Sequence, residues 1–335
     1  MGVHGTLRSR LIASGTRAVR PSCRRETAES LPATVAVPQQ VEPCAPRRRL
    51  PSRWLARFDG DPLDDARPRV YREHTRDQFW GEHMRTRLQE VWSRGEVAVN
   101  GWLSIPSTVT AEMVARQDYD TITIDLQHGL IDYQMALPMM QAVAAASDAT
   151  VIARPPWNEP GIIMKLLDAG ALGILCPLVN TPADAEALVR ACRYAPDGIR
   201  SVGPTRAMMV YGANYIQEAN DAVVTLAMIE TAQALENVEA IARTPGLSAL
   251  YIGPSDLAQS LGHPIRMDPT DAPVMAAIDR IREAAKAAGI KAGMHCMMPD
   301  YARQMAARGF DFVTLGNDAR MLTAELAARV GAFRA

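Results

Sequence analysis

The chain runs to 335 residues, enough for one large α/β domain with an extension. Its 36 basic and 37 acidic residues leave a net charge of -1, which offers no electrostatic footprint for nucleic acid or an anionic membrane and points to a small-molecule partner. Five widely spaced cysteines (Cys23, Cys44, Cys176, Cys192 and Cys296) form no CxxC pair, and no apolar run approaches the roughly 18 residues of a membrane span, so a reducing, cytoplasmic setting is expected.

Residues 1–60 carry 11 arginines, no lysine, four acids and several prolines, with little apolar periodicity. They read as a loose basic extension. An organellar targeting peptide, a disordered arm and an upstream over-reading of the coding frame all fit that composition. Residues 61–82 contain Asp-Pro, Arg-Pro and mixed charges and read as a lead-in. The expected division is therefore an irregular extension over 1–82 and a catalytic domain over 83–335.

From residue 83 onward, short branched runs alternate with helical stretches. Strands are predicted at 97–103, 121–125, 149–153, 172–176, 223–229, 248–252, 291–294 and 312–315. Helices are predicted near 106–117, 132–145, 159–169, 181–194, 231–243, 272–288, 299–308 and 318–332, several opened by Pro, Thr or Asp, as first-turn N–H groups require. Eight β-to-α alternations in about 250 residues favour a closed (β/α)₈ barrel over an open Rossmann sheet. No GxGxxG or GxxxxGK[ST] occurs, so no nucleotide cofactor is expected.

A barrel of this kind places its chemistry at the carboxyl ends of its strands. Asp125 closes the second strand and His128 follows three residues later, a spacing that lets a carboxylate orient an imidazole as a general acid/base pair. The competing reading is a helix cap beside a polar loop residue. Gln127, between them, can join a hydrogen-bond network but cannot supply an anionic ligand. Arg154, before Pro155 and Pro156, stands at the mouth of the third strand, where its planar fork can hold a carboxylate or stabilise a developing oxyanion.

Glu230 ends the fifth strand and Asp256 opens the loop after the sixth. Capping explains either alone, but two carboxylates on adjacent strand ends suit one divalent cation with positions left for a 2-oxo acid and water. Oxygen ligands favour Mg²⁺ or Mn²⁺, with Co²⁺ also fitting. Only three lysines occur: Lys165 and Lys286 fall within helices and Lys291 at the entrance of the seventh strand, so a Schiff-base lysine is not expected. His295 and Cys296, at the exit of that strand, are further pocket candidates.

Six segments together resemble the HpcH/HpaI aldolase family of metal-dependent pyruvate aldolases: Ile-Asp-Leu-Gln-His-Gly at 124–129, Ala-Arg-Pro-Pro at 153–156, Leu-Asp-Ala-Gly-Ala at 167–171, Cys-Pro-Leu-Val-Asn-Thr at 176–181, Met-Ile-Glu-Thr at 228–231 and Gly-Pro-Ser-Asp-Leu-Ala at 253–258. The resemblance implies a (β/α)₈ barrel in a hexamer, commonly with the terminal helix exchanged between subunits, and reversible cleavage of 4-hydroxy-2-oxo acids to pyruvate and an aldehyde. It implies Glu230 and Asp256 as metal ligands, His128 with Asp125 as the acid/base dyad and Arg154 as the binder of the pyruvate oxygen. It further implies Gly253 and Ser255 as backbone contacts to the pyruvate carboxylate and Trp102 as a pocket wall.

This sequence departs from many relatives at Gln127, where they carry glutamate, at Met228, where they carry glutamine, and at Ser201, within their Arg-Gly-Val-Gly. Met228 removes a polar contact near the expected metal. Two other readings stand beside the aldolase: a citrate-lyase β-subunit-like or malyl-coenzyme-A-type lyase, and an inactive barrel acting as a binding or structural subunit. Met321, Leu322, Leu326, Val330 and Phe333 in the last helix either cover this subunit's own barrel or meet another copy.

Overall fold

The branched and aliphatic runs form strands because both of their faces are buried, as in other all-parallel sheets. The computed structural model describes residues 84–335; the expectations for 1–60 and 61–82 lie outside them. The strands are β1 (Ala98–Leu103), β2 (Thr121–Asp125), β3 (Thr150–Arg154), β4 (Gly173–Cys176), β5 (Val224–Ile229), β6 (Ala249–Ile252), β7 (Lys291–Cys296) and β8 (Phe312–Leu315). They pair in chain order, all parallel, and β1 closes on β8 through Ala98↔Phe312, Val99↔Val313 and Asn100↔Thr314. This is the predicted (β/α)₈ barrel, with strand limits within two residues of those read from sequence.

The helices around it are α1 (Arg87–Ser93), α2 (Thr108–Ala115), α3 (Tyr133–Ala146), α4 (Pro160–Asp168), α5 (Pro182–Cys192), α6 (Thr205–Tyr211) and α7 (Tyr215–Ala222). They continue with α8 (Ala232–Glu236), α9 (Val238–Ala242), α10 (Pro254–Ser260), α11 (Ala272–Ala287), α12 (Pro299–Ala307) and α13 (Asp318–Arg334). The single helix expected over 231–243 breaks into α8 and α9 at Asn237, which caps both. Four short helices were not expected: α1, α6, α7 and α10. α1 carries a readable signal, a reciprocal Thr86/Gln89 capping box. Among the described residues no helix is long and apolar enough to cross a membrane.

α1 shuts the amino-terminal end of the barrel. Its Leu88 and Val91 join the interior cluster with Ile152, Leu226, Tyr251 and Phe312. Its rim bonds reach the entrances of three strands: Leu88 N–H to Thr150 Oγ1 at 3.0 Å, Gln89 Nε2 to the Asp221 carbonyl at 2.8 Å and Trp92 Nε1 to the Asp311 carbonyl at 3.1 Å. The opposite, carboxyl-terminal mouth is left for ligands.

The barrel interior is partly polar. Asn100, Thr121, Thr123 and Thr314 are all buried and hydrogen-bonded together, and Tyr251 Oη lies 2.6 Å from Thr314 Oγ1 and 3.4 Å from His295 Nδ1. His295 stands perpendicular to the Trp102 indole, ring centroids 4.8 Å apart, and its Nε2 has no hydrogen-bond partner among the described residues. Burial first, then the Arg154 charge, pushes its pKa from 6.5 down to about 3, with Asp125 opposing and Arg320 reinforcing the shift. The folded state therefore holds His295 neutral where the unfolded chain takes up a proton. Its contribution to stability is complete above the unfolded value and is lost as pH falls towards the folded one, at up to about 1.4 kcal/mol per pH unit. We predict that urea unfolding of the metal-free wild type and His295→Gln shows a stability gap that is constant above about pH 7 and moves against the wild type below about pH 6.5. A gap that stays flat down to about pH 5 would contradict a neutral buried imidazole.

Candidate active site

Parallel register brings the first group of residues together. Asp125 is the Cα partner of Arg154 across β2 and β3, and Trp102 is that of Thr123 across β1 and β2. Arg154 donates from Nε to Asp125 Oδ1 at 2.8 Å and from Nη2 to Oδ2 at 2.6 Å, a two-pronged bond between nearly buried partners. Trp102 Nε1 reaches Oδ2 at 3.3 Å, and the Arg154 guanidinium lies 4.7 Å from the Trp102 ring centroid. Two main-chain donors, the N–H groups of Gln127 and His128, complete the shell of Oδ1 at 3.0 and 3.2 Å. Burial raises the Asp125 carboxyl, but Arg154 and the two N–H groups outweigh it and hold the pKa below the usual carboxylate range.

The acid/base pairing expected from the D-x-x-H spacing takes a different form. Both Asp125 oxygens are occupied by Arg154, Trp102 and backbone donors, so its link to His128 runs through the main chain, not the imidazole. The imidazole projects from an exposed loop and makes no hydrogen bond to Asp125 among the described residues. Gly129 permits the turn: a Cβ there would sit 2.2 Å from the Asp125 carbonyl oxygen. Gln127 contributes its N–H, while its side-chain Oε1 is buried without a partner among the described residues.

Across the mouth, Met228↔Tyr251 and Ile229↔Ile252 pairing sets Glu230 beside Gly253, three residues before Asp256 in α10. A Cβ on Gly253 would lie 2.5 Å from Glu230 Oε2 and 3.0 Å from Met228 Cε, so glycine is what leaves that oxygen room. Glu230 Oε1 accepts the Leu178 N–H at 2.8 Å. Leu178 adopts a left-handed backbone, φ 53°, which costs a branched residue about 1–3 kcal/mol and is tied here to a single buried acceptor. Glu230 is buried, and burial raises its pKa to about 7, against the Leu178 bond and with the Asp256 charge adding to the rise. Asp256 itself is exposed. The Ser255 hydroxyl points to the Met267 sulfur and the Arg266 carbonyl, at 3.1 and 3.5 Å.

Glu230 and Asp256 are the oxygen donors on this side, and among the described residues no group of three or more His, Cys, Asp or Glu is gathered for a metal. A buried carboxylate pushed towards protonation, one oxygen unbonded in a glycine-walled space and a second carboxylate nearby, fits a hard divalent cation whose remaining positions go to water and substrate. Lys291 is ion-paired to Asp311 at 2.8 Å at the strand entrances, and the Lys165 ammonium lies 5.1 Å from the Tyr133 ring centroid. Cys296 is buried, with its thiol pushed up by burial. Leu178 and Gly129 were missed from sequence as site-shaping residues. Gly129 was readable as a glycine at a strand exit, whereas a leucine in left-handed conformation leaves no compositional trace.

A profile of the HpcH/HpaI aldolase/citrate lyase family matches residues 101–324. A hydroxypyruvate/pyruvate aldolase of Rhizorhabdus wittichii is 45% identical over 238 residues, covering 71% of this chain and 94% of that protein. A 4-hydroxy-2-oxovalerate aldolase of Rhodococcus jostii is 37% identical over 250 residues, covering 72% and 95%. Among solved structures, an HpcH/HpaI aldolase/citrate lyase family protein from Burkholderia cenocepacia superposes with a TM-score of 0.69 at 32% identity, covering 74% of this chain and 98% of its own. With the profile spanning most of the barrel and relatives matched over nearly their whole length, the chain belongs to the HpcH/HpaI aldolase/citrate lyase family and is an enzyme of the aldolase/lyase type.

Proposed function

We propose that the chain is a divalent-metal-dependent aldolase that reversibly cleaves 4-hydroxy-2-oxo acids to pyruvate, or a related 2-oxo acid, and an aldehyde. The observation that carries this reading is the pairing of unlike halves at one mouth: an Asp125–Arg154 ion pair closed by two hydrogen bonds, and a buried Glu230 carboxylate that makes no ion pair among the described residues and whose burial outweighs the Arg154 charge. The relatives named hydroxypyruvate/pyruvate aldolase and 4-hydroxy-2-oxovalerate aldolase support the same substrate class.

Glu230 and Asp256 would hold the cation, Mg²⁺ or Mn²⁺ by their oxygen chemistry, with Co²⁺ a substitute. When bound, it would polarise the 2-oxo group and offset negative charge developing on that oxygen. Arg154 has committed Nε and Nη2 to Asp125; its Nη1, without a hydrogen-bond partner among the described residues, is free to bind the same oxygen. Gly253 and Ser255 offer their main chain to the substrate carboxylate, and Trp102 walls the pocket. His128 takes the proton from the C4 hydroxyl as the C3–C4 bond breaks, its electron pair passing to C3 and the C4 oxygen becoming the aldehyde carbonyl; a proton then added at C3 completes pyruvate, and the synthetic direction reverses each transfer. Asp125 serves this step indirectly, by holding Arg154 and the His128 loop.

Pyruvate release from short and dicarboxylic 4-hydroxy-2-oxo acids, with acyl-coenzyme-A substrates as the comparison, tests the proposal. Chelation should abolish turnover and divalent metal restore it. Glu230→Gln and Asp256→Asn should lose metal activation, and His128→Ala should reduce turnover on the order of 10²- to 10⁴-fold. Arg154→Ala should impair substrate capture and cleavage together, while Lys291→Ala should leave activity largely intact. Activity that survives chelation and is abolished by reductive trapping at Lys291 would sink the metal mechanism.

The same reading includes a cytoplasmic homo-oligomer, a hexamer, whose α13 packs on a second copy. Residues 320–335 are exposed throughout, with Met321, Leu322, Leu326, Val330 and Phe333 forming an uncovered apolar set. Light scattering should give several protomer masses, and Leu326→Glu with Val330→Glu should lower that mass; a wild-type monomer at working concentration would contradict assembly. The 83–335 fragment should keep metal-dependent turnover, and failure of it to fold would move the domain boundary.

A further inference from the structure

One buried carboxylate lies outside the site described above and yet is wired to it. Asp318, 5% exposed, is the first residue of α13, but it is not the helix cap; Asn317 performs that role by accepting the Arg320 N–H at 2.8 Å. The Asp318 carboxylate reaches across to the loop that follows β1. Its Oδ1 accepts the Ser104 N–H at 2.8 Å and its Oδ2 the Ile105 N–H at 3.2 Å, with the Ala319 N–H adding a third bond at 2.8 Å. Ser104 in turn accepts the Leu130 N–H on its carbonyl at 3.0 Å. A Cβ on Gly129 would sit 3.2 Å from the Ser104 Cα, so the two loops are in close backbone contact.

We propose that Asp318 is a positioning residue for His128, acting through Ser104 to fix the far side of the 127–130 loop. This rests on the reading of His128 as the proton-transfer residue. The loop is then pinned at two points: Asp125 holds the N–H groups of Gln127 and His128, and Ser104 holds that of Leu130. One anchor alone leaves the loop a hinge at Gly129; two fix the backbone from which the imidazole projects. Burial raises the Asp318 carboxyl pKa, against the main-chain N–H groups of Ser104, Ile105 and Ala319.

Asp318→Asn keeps one acceptor oxygen but turns an amide N–H₂ towards a main-chain N–H, which releases either Ser104 or Ile105. The test uses full-length, metal-loaded protein with two substrates. Aldol cleavage needs a base at the C4 hydroxyl. A 2-oxo acid bearing a carboxylate at C4, oxaloacetate, breaks the same C3–C4 bond with its electron pair passing to C3 and CO₂ leaving, and has no hydroxyl proton to remove. The variant is expected to lose kcat for aldol cleavage on the order of 10- to 100-fold, as displacement of a reacting group by about 1 Å does. Metal affinity and CO₂ release should stay within about twofold of wild type. Amide hydrogen exchange should speed up over both 103–106 and 127–131.

Faster exchange at 103–106 alone, or an equal loss with both substrates, overturns the inference. Faster exchange over both segments with aldol cleavage unchanged supports the loop anchor and removes His128 from the proton-transfer role instead. If Asp318→Asn does not fold, Asp318→Ser, which keeps one acceptor at the same helix position, is read by the same criteria.

Discussion

The buried Asp125 carboxylate is the constraint on which the β1 to β3 side of the mouth depends. Two guanidinium N–H groups, an indole N–H and two main-chain N–H groups converge on its two oxygens, which uses the acceptor capacity of a carboxylate in full. A buried ion pair of this kind gains little over an apolar pair in stability, but removing one partner strands the other at roughly 3–5 kcal/mol. Its value is geometric. Arg154, Trp102 and the His128 loop come from three different strand ends, and each is oriented by the same two atoms.

The β5–β6 side follows the opposite rule. Glu230 has one N–H donor and no ion-pair partner among the described residues, and burial together with Asp256 moves it towards the neutral form against the Leu178 bond and the Arg154 charge. The fold sustains this with a leucine in a left-handed conformation and a glycine whose missing Cβ leaves Oε2 uncovered. Such costs are tolerated where a ligand removes them, since a divalent cation converts an unfavourable buried carboxylate into a favourable one. Charge is satisfied on one side of the mouth and withheld on the other, and a 2-oxo acid, negative at one end and polarisable at the next atom, matches that division.

The barrel was legible in the sequence because parallel strands buried on both faces appear as short unbroken apolar runs, and eight of them separated by helix-length intervals admit few other arrangements. The placement of Asp125, Arg154 and Glu230 was legible for a related reason: an acid or base directly at the end of such a run has to lie at the mouth. Partnership was not legible. Asp125 and His128 are three residues apart and invite pairing, whereas Asp125 and Arg154 are separated by 29 residues and meet only through the β2/β3 register. Helices α6, α7 and α10 escaped because they are one or two turns long, with no side-chain cap to announce them. The Leu178 turn escaped because nothing in its residue type calls for a positive φ.

Helix α13 joins two properties that are separate elsewhere in the molecule. Its first turn is locked to the β1 loop through Asp318, while its last fifteen residues touch little of their own barrel. An isolated helix of about this length is marginal in water, and most helical stability in proteins comes from packing an apolar face. Whatever covers the face of Met321, Leu322, Leu326 and Val330 therefore stabilises the whole helix, its first turn included. In the proposed assembly the covering surface is a second copy of the chain. If the proposed Asp318 anchor holds the His128 loop, reciprocity requires that order in that loop and cover on α13 favour one another.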